Sequence, residues 1–351
     1  MMEVFSIFLA AGANTSPGAA KPLEFERKVA EAGGRVEFVF EDGRPFRECH
    51  ASTLVDLGDN NLLCAWFGGT KEGAEDVAVW MARFDGTKWS APFRAAKVGT
   101  KAHWNPVLFR DPQHGCFLFF KVGERVSTWR TFVMRSEDGG TWSKPAELVP
   151  GDVGGRGPVK NKPILLSDGA WLAGASTEHD GWRPFADRSQ DGGKSWRRST
   201  DWEIDPVAVA GKGAIQPTLW ESQPGHVHAL VRTTCGRMAR ADSEDFGKTW
   251  TPVYLTPLPN NNSGIDAVRL DDGRVWLVYN PVATNWGPRT PLNIACTEDN
   301  GTTWRDVASL EINEGEYSYP AVIRTGRGLA VSYTWKRERI RCWQIPFDVL
   351  K

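Results

Sequence analysis

The chain is built of short apolar runs separated by turns rich in Gly, Asp and Asn. One run opens each unit, at 52–57, 106–109, 163–166, 217–220, 265–270 and 320–323. A second follows a turn, at 62–67, 116–121, 171–175, 227–231, 275–279 and 329–333. Runs this short, bounded by turn residues, read as strands rather than helices. A third strand then leads into a turn that closes on tryptophan, and a weaker fourth strand follows. Ahead of the first unit, 35–40 alternates as a further strand, and 24–32 reads as a short helical turn.

The turn before tryptophan is spelled almost alike each time. It reads SEDGGTW at 136–142, SQDGGKSW at 189–196, SEDFGKTW at 243–250 and TEDNGTTW at 297–304, with a worn FDGTKW ending at Trp89. The closing tryptophans stand at 89, 142, 196, 250 and 304, so one unit spans about 54 residues. Four short strands per such period predict the blade of a β-propeller. The six opening runs predict six blades. The sixth, 317–347, has three strands and no box, so 35–40 is expected to supply its fourth and leave no open edge. The expectation is an all-β, six-bladed β-propeller of four antiparallel strands per blade over 35–351, behind an N-terminal tail over 1–34. Within the box, the Asp accepts N–H groups of its own turn, the Gly takes the left-handed position and the Trp buries a large ring. Those tasks account for Asp138, Asp191, Asp245 and Asp299 without catalysis.

Charge narrows the partners. With 42 basic and 43 acidic residues the net charge is -1, so neither a nucleic-acid nor a membrane-surface partner is expected, and a monomer is. No apolar run reaches membrane-spanning length. Cys49, Cys64, Cys116, Cys235, Cys296 and Cys342 form no CxxC pair and mostly lie in apolar runs, so buried free thiols are expected. Residues 4–11 are apolar and small residues follow, as in a signal segment lacking its basic start. The compartment stays open between secreted or periplasmic and cytoplasmic.

The boxes resemble the Asp-box (BNR) repeats of the sialidase superfamily, and the resemblance covers most of 45–345. Sialidases are retaining glycosidases with a tyrosine nucleophile. A glutamate activates the tyrosine, an aspartate is acid/base, and three arginines clamp the substrate carboxylate. The resemblance places Tyr317, in Glu316-Tyr317-Ser318-Tyr319-Pro320, as nucleophile, Glu221 as its base and Asp76 as acid/base. It places Arg289 and Arg232 as two of the arginines, with Arg237 a rival to the second. The first arginine is missing: His50, in Cys49-His50-Ala51-Ser52, stands where it should be, and imidazole cannot replace a permanently charged fork.

His50 and the segments 102–106, 157–163, 176–178, 260–264 and 335–337 are similar to a sialidase-related group of lyases that act on rhamnosyl-glucuronate caps of plant polysaccharides. That resemblance implies β-elimination on an acidic oligosaccharide or polysaccharide. Elimination at a uronate needs a neutralised carboxylate, a base for the C5 proton and an acid for the leaving oxygen. Arg289, Arg232 and Asn105 are candidates for the first task, His50 or His103 for the second, and Tyr317 for the third. Lys160, Asn161, Glu178 and Arg337 complete the candidate substrate-binding set. No cofactor is expected, and no spacing demands a metal, although an axial divalent cation such as calcium is compatible with the Asp and Asn residues. Exo-sialidase and non-catalytic glycan binding are the competing readings.

Overall fold

The computed structural model describes residues 19–351, and the apolar segment read as a signal remnant lies outside them. Six four-stranded antiparallel sheets surround one axis. Strands make up 49% of the described residues and helices 5%. Five blades are consecutive in sequence, opening on Glu48–Gly58, His103–Asp111, Ile164–Leu165, Ala214–Gln223 and Asp266–Arg269. The sixth is composite: Tyr317–Thr325, Gly328–Trp335 and Arg339–Pro346 take Arg35–Phe38 as their outer strand, with Arg35 opposite Gln344. The expected closure is therefore present.

The helical turn expected at 24–32 is present. Residues Pro22–Glu31 form a helix whose Phe25 and Val29 are buried against the last two blades, Phe25 stacking on Trp343 at 5.8 Å. Proline in the first turn suits a helix start.

Cores lie between neighbouring blades. Trp66, Trp171, Trp220, Trp276 and Trp343 are fully buried there, and each such ring removes area worth roughly 4–6 kcal/mol of transfer free energy. The box tryptophans add to the same layers, with Trp250 stacked on Trp202 at 4.2 Å. Their turns behave as the composition predicts. Asp245 Oδ1 accepts from the N–H groups of Lys248 (3.0 Å) and Thr249 (2.8 Å), and the Trp250 indole donates to the Gly247 carbonyl (3.0 Å). The boxes join third and fourth strands, which puts them all on one face. Inner strands begin at the opposite face.

There, four inner strands carry the same irregularity. The ladder slips between His50 and Thr53, Trp104 and Val107, Ile215 and Thr218, and Ser318 and Ala321. Two residues thus oppose one, a β-bulge. The first bulged residues, Ala51, Asn105, Gln216 and Tyr319, all have positive φ, 38° to 57°. Proline follows three of them, and having no N–H it forfeits no ladder bond there. A left-handed tyrosine is a true outlier, and such strain gathers at functional sites.

Candidate active site

The bulges point to one well at the axis. Tyr319 stands at its centre, half-buried. Its phenol oxygen accepts from Arg232 Nη1 at 2.7 Å, and its ring lies 4.2 Å from that of His50. Arg232 and Arg289 approach the ring at 5.7 and 5.6 Å.

Arg232 ends the second strand of blade 4, and the well holds it on three sides. Nε donates to Asn262 Oδ1 (2.7 Å), Nη1 also to Gln216 Oε1 (3.2 Å), and the guanidinium lies 5.2 Å from the Trp182 ring. Arg289 Nη1 donates to Glu316 Oε1 (2.6 Å) and Ser318 Oγ (3.3 Å). Arg337 Nε bonds both oxygens of Glu316, at 3.0 and 3.1 Å, and Nη1 bonds Glu72. Burial pushes the Glu316 carboxyl up, but Arg289 and Arg337 more than reverse this and hold it below its ordinary range. Arg232 Nη2 and Arg289 Nη2 make no hydrogen bond among the described residues and are free for a carboxylate.

His50 is buried, with Nδ1 2.9 Å from Thr334 Oγ1. Burial, then the charges of Arg337, Arg289, Arg232 and Lys160, hold its pKa well below 6.5. The imidazole is neutral at physiological pH, and Nε2 has no partner among the described residues. Asn105 points its Nδ2 at the Val159 carbonyl (3.0 Å) and keeps Oδ1 out of hydrogen bonds. Glu178, at the end of the second strand of blade 3, lies beside Arg232. Burial raises its pKa, partly offset by Arg232 and Lys212.

Six expected residues sit elsewhere. Tyr317 is 1% exposed in the core between the last two blades, its hydroxyl near the Glu314 carbonyl (3.4 Å). In a regular strand Tyr317 and Tyr319 would share a face, but the bulge breaks that alternation and only Tyr319 reaches the axis. Glu221 lies five residues beyond Gln216, roughly 16 Å along a strand, on the box face. There it binds the Ser167 N–H (2.7 Å) and hydroxyl (2.9 Å) and the Gly225 N–H (2.9 Å). His103 uses both nitrogens locally: Nε2 accepts from the Val98 N–H (2.8 Å) and Nδ1 faces the Lys101 carbonyl (3.1 Å). Burial lowers its pKa to about 4.

Lys160 and Asn161 lie beneath the well as struts. Lys160 Nζ crosses the axis to Asn161 Oδ1 (2.8 Å), the Ile265 carbonyl (3.0 Å) and the Pro320 carbonyl. Asn161 Nδ2 binds the carbonyls of Gln216 and Pro217, both at 3.1 Å, and so braces the Gln216 bulge. Below them Lys162 pairs with Asp266 (2.9 Å). Asp76 is exposed on the rim loop of blade 1, with Oδ2 accepting from the Thr70 N–H (2.8 Å) and hydroxyl (2.7 Å). The rival Arg237 is exposed and Arg232 buried.

Tyr319 and Gln216 were the residues missed. The signal was available: aligning Asn105-Pro106, Gln216-Pro217 and Tyr319-Pro320 on proline puts the three axial residues in register. Among the described residues no group of three or more His, Cys, Asp or Glu side chains converges as a metal site. Five cysteines are buried free thiols and Cys235 is half-buried.

Solved structures share this architecture. Hadza microbial sialidase Hz136 superposes with a TM-score of 0.73 at 19% identity, over 89% of this chain and 68% of its own. The NanB sialidase of Streptococcus pneumoniae gives 0.72 at 14%, over 90% and 71%. A protein of unknown function from Dyadobacter fermentans gives 0.70 at 17%, over 89% and 99%. No curated protein sequence matches the chain significantly. The model of the BNR repeat-like domain matches residues 60–331. With repeats, blade count and superposition in agreement, the chain belongs to the BNR repeat-like domain family and has the sialidase-type β-propeller fold.

Proposed function

We propose that the protein is a carbohydrate-active enzyme that cleaves a terminal linkage at a carboxylate-bearing sugar, by β-elimination at a rhamnosyl-glucuronate. The observation carrying this reading is the set of groups around Tyr319: His50 against its ring, Arg232 on its oxygen with the Gln216 amide on the same Arg232 nitrogen, and no carboxylate hydrogen-bonded to the phenol among the described residues. A tyrosine nucleophile must lose its proton to a neighbouring base, and an amide cannot take one.

For elimination the same groups have consistent tasks. Arg232 and Arg289, with Asn105 at the wall, receive the uronate carboxylate and stabilise charge as the enolate develops. His50, with Nδ1–H turned to Thr334, takes the C5 proton on Nε2. Substrate carboxylate offsets the four cations that depress this histidine, so binding itself makes it a better base. Tyr319 gives its proton to the leaving oxygen, and Arg232 supports the phenolate until the proton is restored. The product is an unsaturated uronate.

The retaining exo-sialidase reading is favoured by one observation, the superposition on two sialidases. It keeps Asp76 as acid/base and the arginines as clamp. The deciding experiment offers the protein rhamnosyl-glucuronate oligosaccharides and sialyl-lactose in parallel. Ultraviolet absorbance of the unsaturated uronate is expected from the first. Free sialic acid without that absorbance would replace elimination by hydrolysis. Binding of either glycan without turnover would make the propeller a lectin.

A further inference from the structure

On the box face, blade 4 carries a second chain of hydrogen bonds that the axial chemistry does not use. Ser222 Oγ lies 2.7 Å from His228 Nε2, and His228 Nδ1 lies 2.5 Å from Asp242 Oδ1. The Asp242 carboxylate at Nδ1 and a fixed donor at Nε2 favour one tautomer. The Trp220 indole can only donate, and it does so to Asn300 Oδ1 at 2.7 Å. That orients the amide, so Asn300 Nδ2 donates to His228 Nε2 at 2.9 Å and shares its one lone pair with the Ser222 hydroxyl. Nε2 is therefore an acceptor, and the ring proton is on Nδ1 facing Asp242. Burial works to raise the Asp242 pKa, but hydrogen bonds from His228 and Tyr254 and the Arg240 charge hold it at about 2. The carboxylate is ionised at neutral pH.

Arg240 Nη2, which can only donate, also stands 2.9 Å from Nδ1 and competes with the ring proton for that side of the imidazole, while its Nε binds Asp242 (2.9 Å) and its Nη1 the Asn300 carbonyl (2.8 Å). Arg240, Trp220 and Asn300 suffice to latch blade 4 onto the box turn of blade 5. That latch does not require Ser222, which is half-buried and opens on a cavity of about 440 Å³ shared with Asn300, Arg269, Asp272 and Glu298.

We propose that Ser222, His228 and Asp242 form a second catalytic centre, an esterase that removes short acyl groups from the hydroxyls of a polar alcohol such as a sugar. A nucleophile, its base and an orienting carboxylate are recognised by geometry rather than by chain order. Ser222 Oγ adds to the ester carbonyl while its proton passes to Nε2. The tetrahedral intermediate then breaks its bond to the alcohol oxygen, which takes that proton. Water, deprotonated by Nε2, adds to the acyl-serine, and the carboxylic acid leaves as Ser222 regains its proton. The second N–H of Asn300 Nδ2 and the Arg269 guanidinium, which makes no hydrogen bond among the described residues, are the cavity's donors for the oxyanion. The cavity's named walls are polar, which selects an acetyl-sized acyl group over a long chain.

The test treats the full chain with a fluorophosphonate probe and with p-nitrophenyl acetate. Peptide mapping is expected to find the adduct on Ser222. Ser222→Ala should abolish it and return ester hydrolysis to the level of denatured protein, with an unchanged urea midpoint, because only one hydroxyl is removed. His228→Gln should slow labelling about a hundredfold, while Tyr319→Phe should label like the parent. Folded protein with no adduct at Ser222, or ester hydrolysis that Ser222→Ala leaves untouched, overturns the proposal. The Ser222→Ala comparison decides alone if His228→Gln does not fold.

Discussion

The two faces of the propeller are built on opposite principles. On the box face the same side chains recur from blade to blade, and each is consumed by its own turn: Asp191, Asp245 and Asp299 all accept backbone N–H groups three and four residues on, or four alone. On the other face the backbone recurs and the side chains do not. Equivalent bulges carry Ala51, Asn105, Gln216 and Tyr319, four chemistries on one repeated kink. Repetition of side chains therefore marks scaffold here, and repetition of strained backbone under changing side chains marks the site.

The sharpest way to break that contrast is Tyr319→Phe. It removes one hydroxyl on the variable face and should lower kcat about a thousandfold with little change in melting temperature. A variant that keeps its turnover would show that the axis is not where the chemistry occurs. On the repeating face Trp250→Ala should do the reverse. Loss of its stacking on Trp202 should cost about 3 kcal/mol in urea unfolding, with turnover per folded molecule preserved.

Acid should separate the faces in sequence. His50 and His103 are held neutral below their ordinary pKa, so the unfolded chain binds protons that the folded chain refuses. Stability from this source is complete above about pH 6.5 and is lost as pH falls, by about pH 4 for His103. The box carboxylates Asp191 and Asp299, held at about 2, lose theirs only below 3.8. Urea midpoints measured down the pH scale should therefore fall in two stages, and a single fall below pH 3.8 would contradict the assignment of neutral, buried histidines. The smallest effect belongs to Glu221→Ala. It should cost about 1 kcal/mol through lost hydrogen bonds and leave turnover unchanged, because the side chain is on the box face.

The fold was legible because the box encodes itself locally: Asp, Gly and Trp specify one turn and one buried ring without reference to distant residues. Strand 35–38 was legible by elimination, since blade six lacked a partner. His50, Arg232 and Arg289 were found through departure from, or agreement with, the sialidase pattern, and all three reach the well. Tyr317 and Glu221 were misplaced for two physical reasons. Tyr317 follows from the resemblance of Glu316-Tyr317-Ser318-Tyr319-Pro320 to the sialidase segment, and the bulge turns the other tyrosine of that segment to the axis. Glu221 matches the sialidase glutamate in sequence, but it stands near the end of Ala214–Gln223, and strand direction puts that end on the box face. The partners that hold His103, Val98 and Lys101, are backbone groups that composition does not announce.

The outer strand of blade six has a consequence for how the molecule is made. Arg35 pairs with Gln344, some three hundred residues away. During synthesis the first strand must wait, unpaired, until Arg339–Pro346 has left the ribosome. Such a long-range closure is slow and late. A chain released early would keep both its first strand and its last blade open, and these exposed edges are what chaperones and proteases recognise. Closure of the ring is thereby also a check that the last blade has been made.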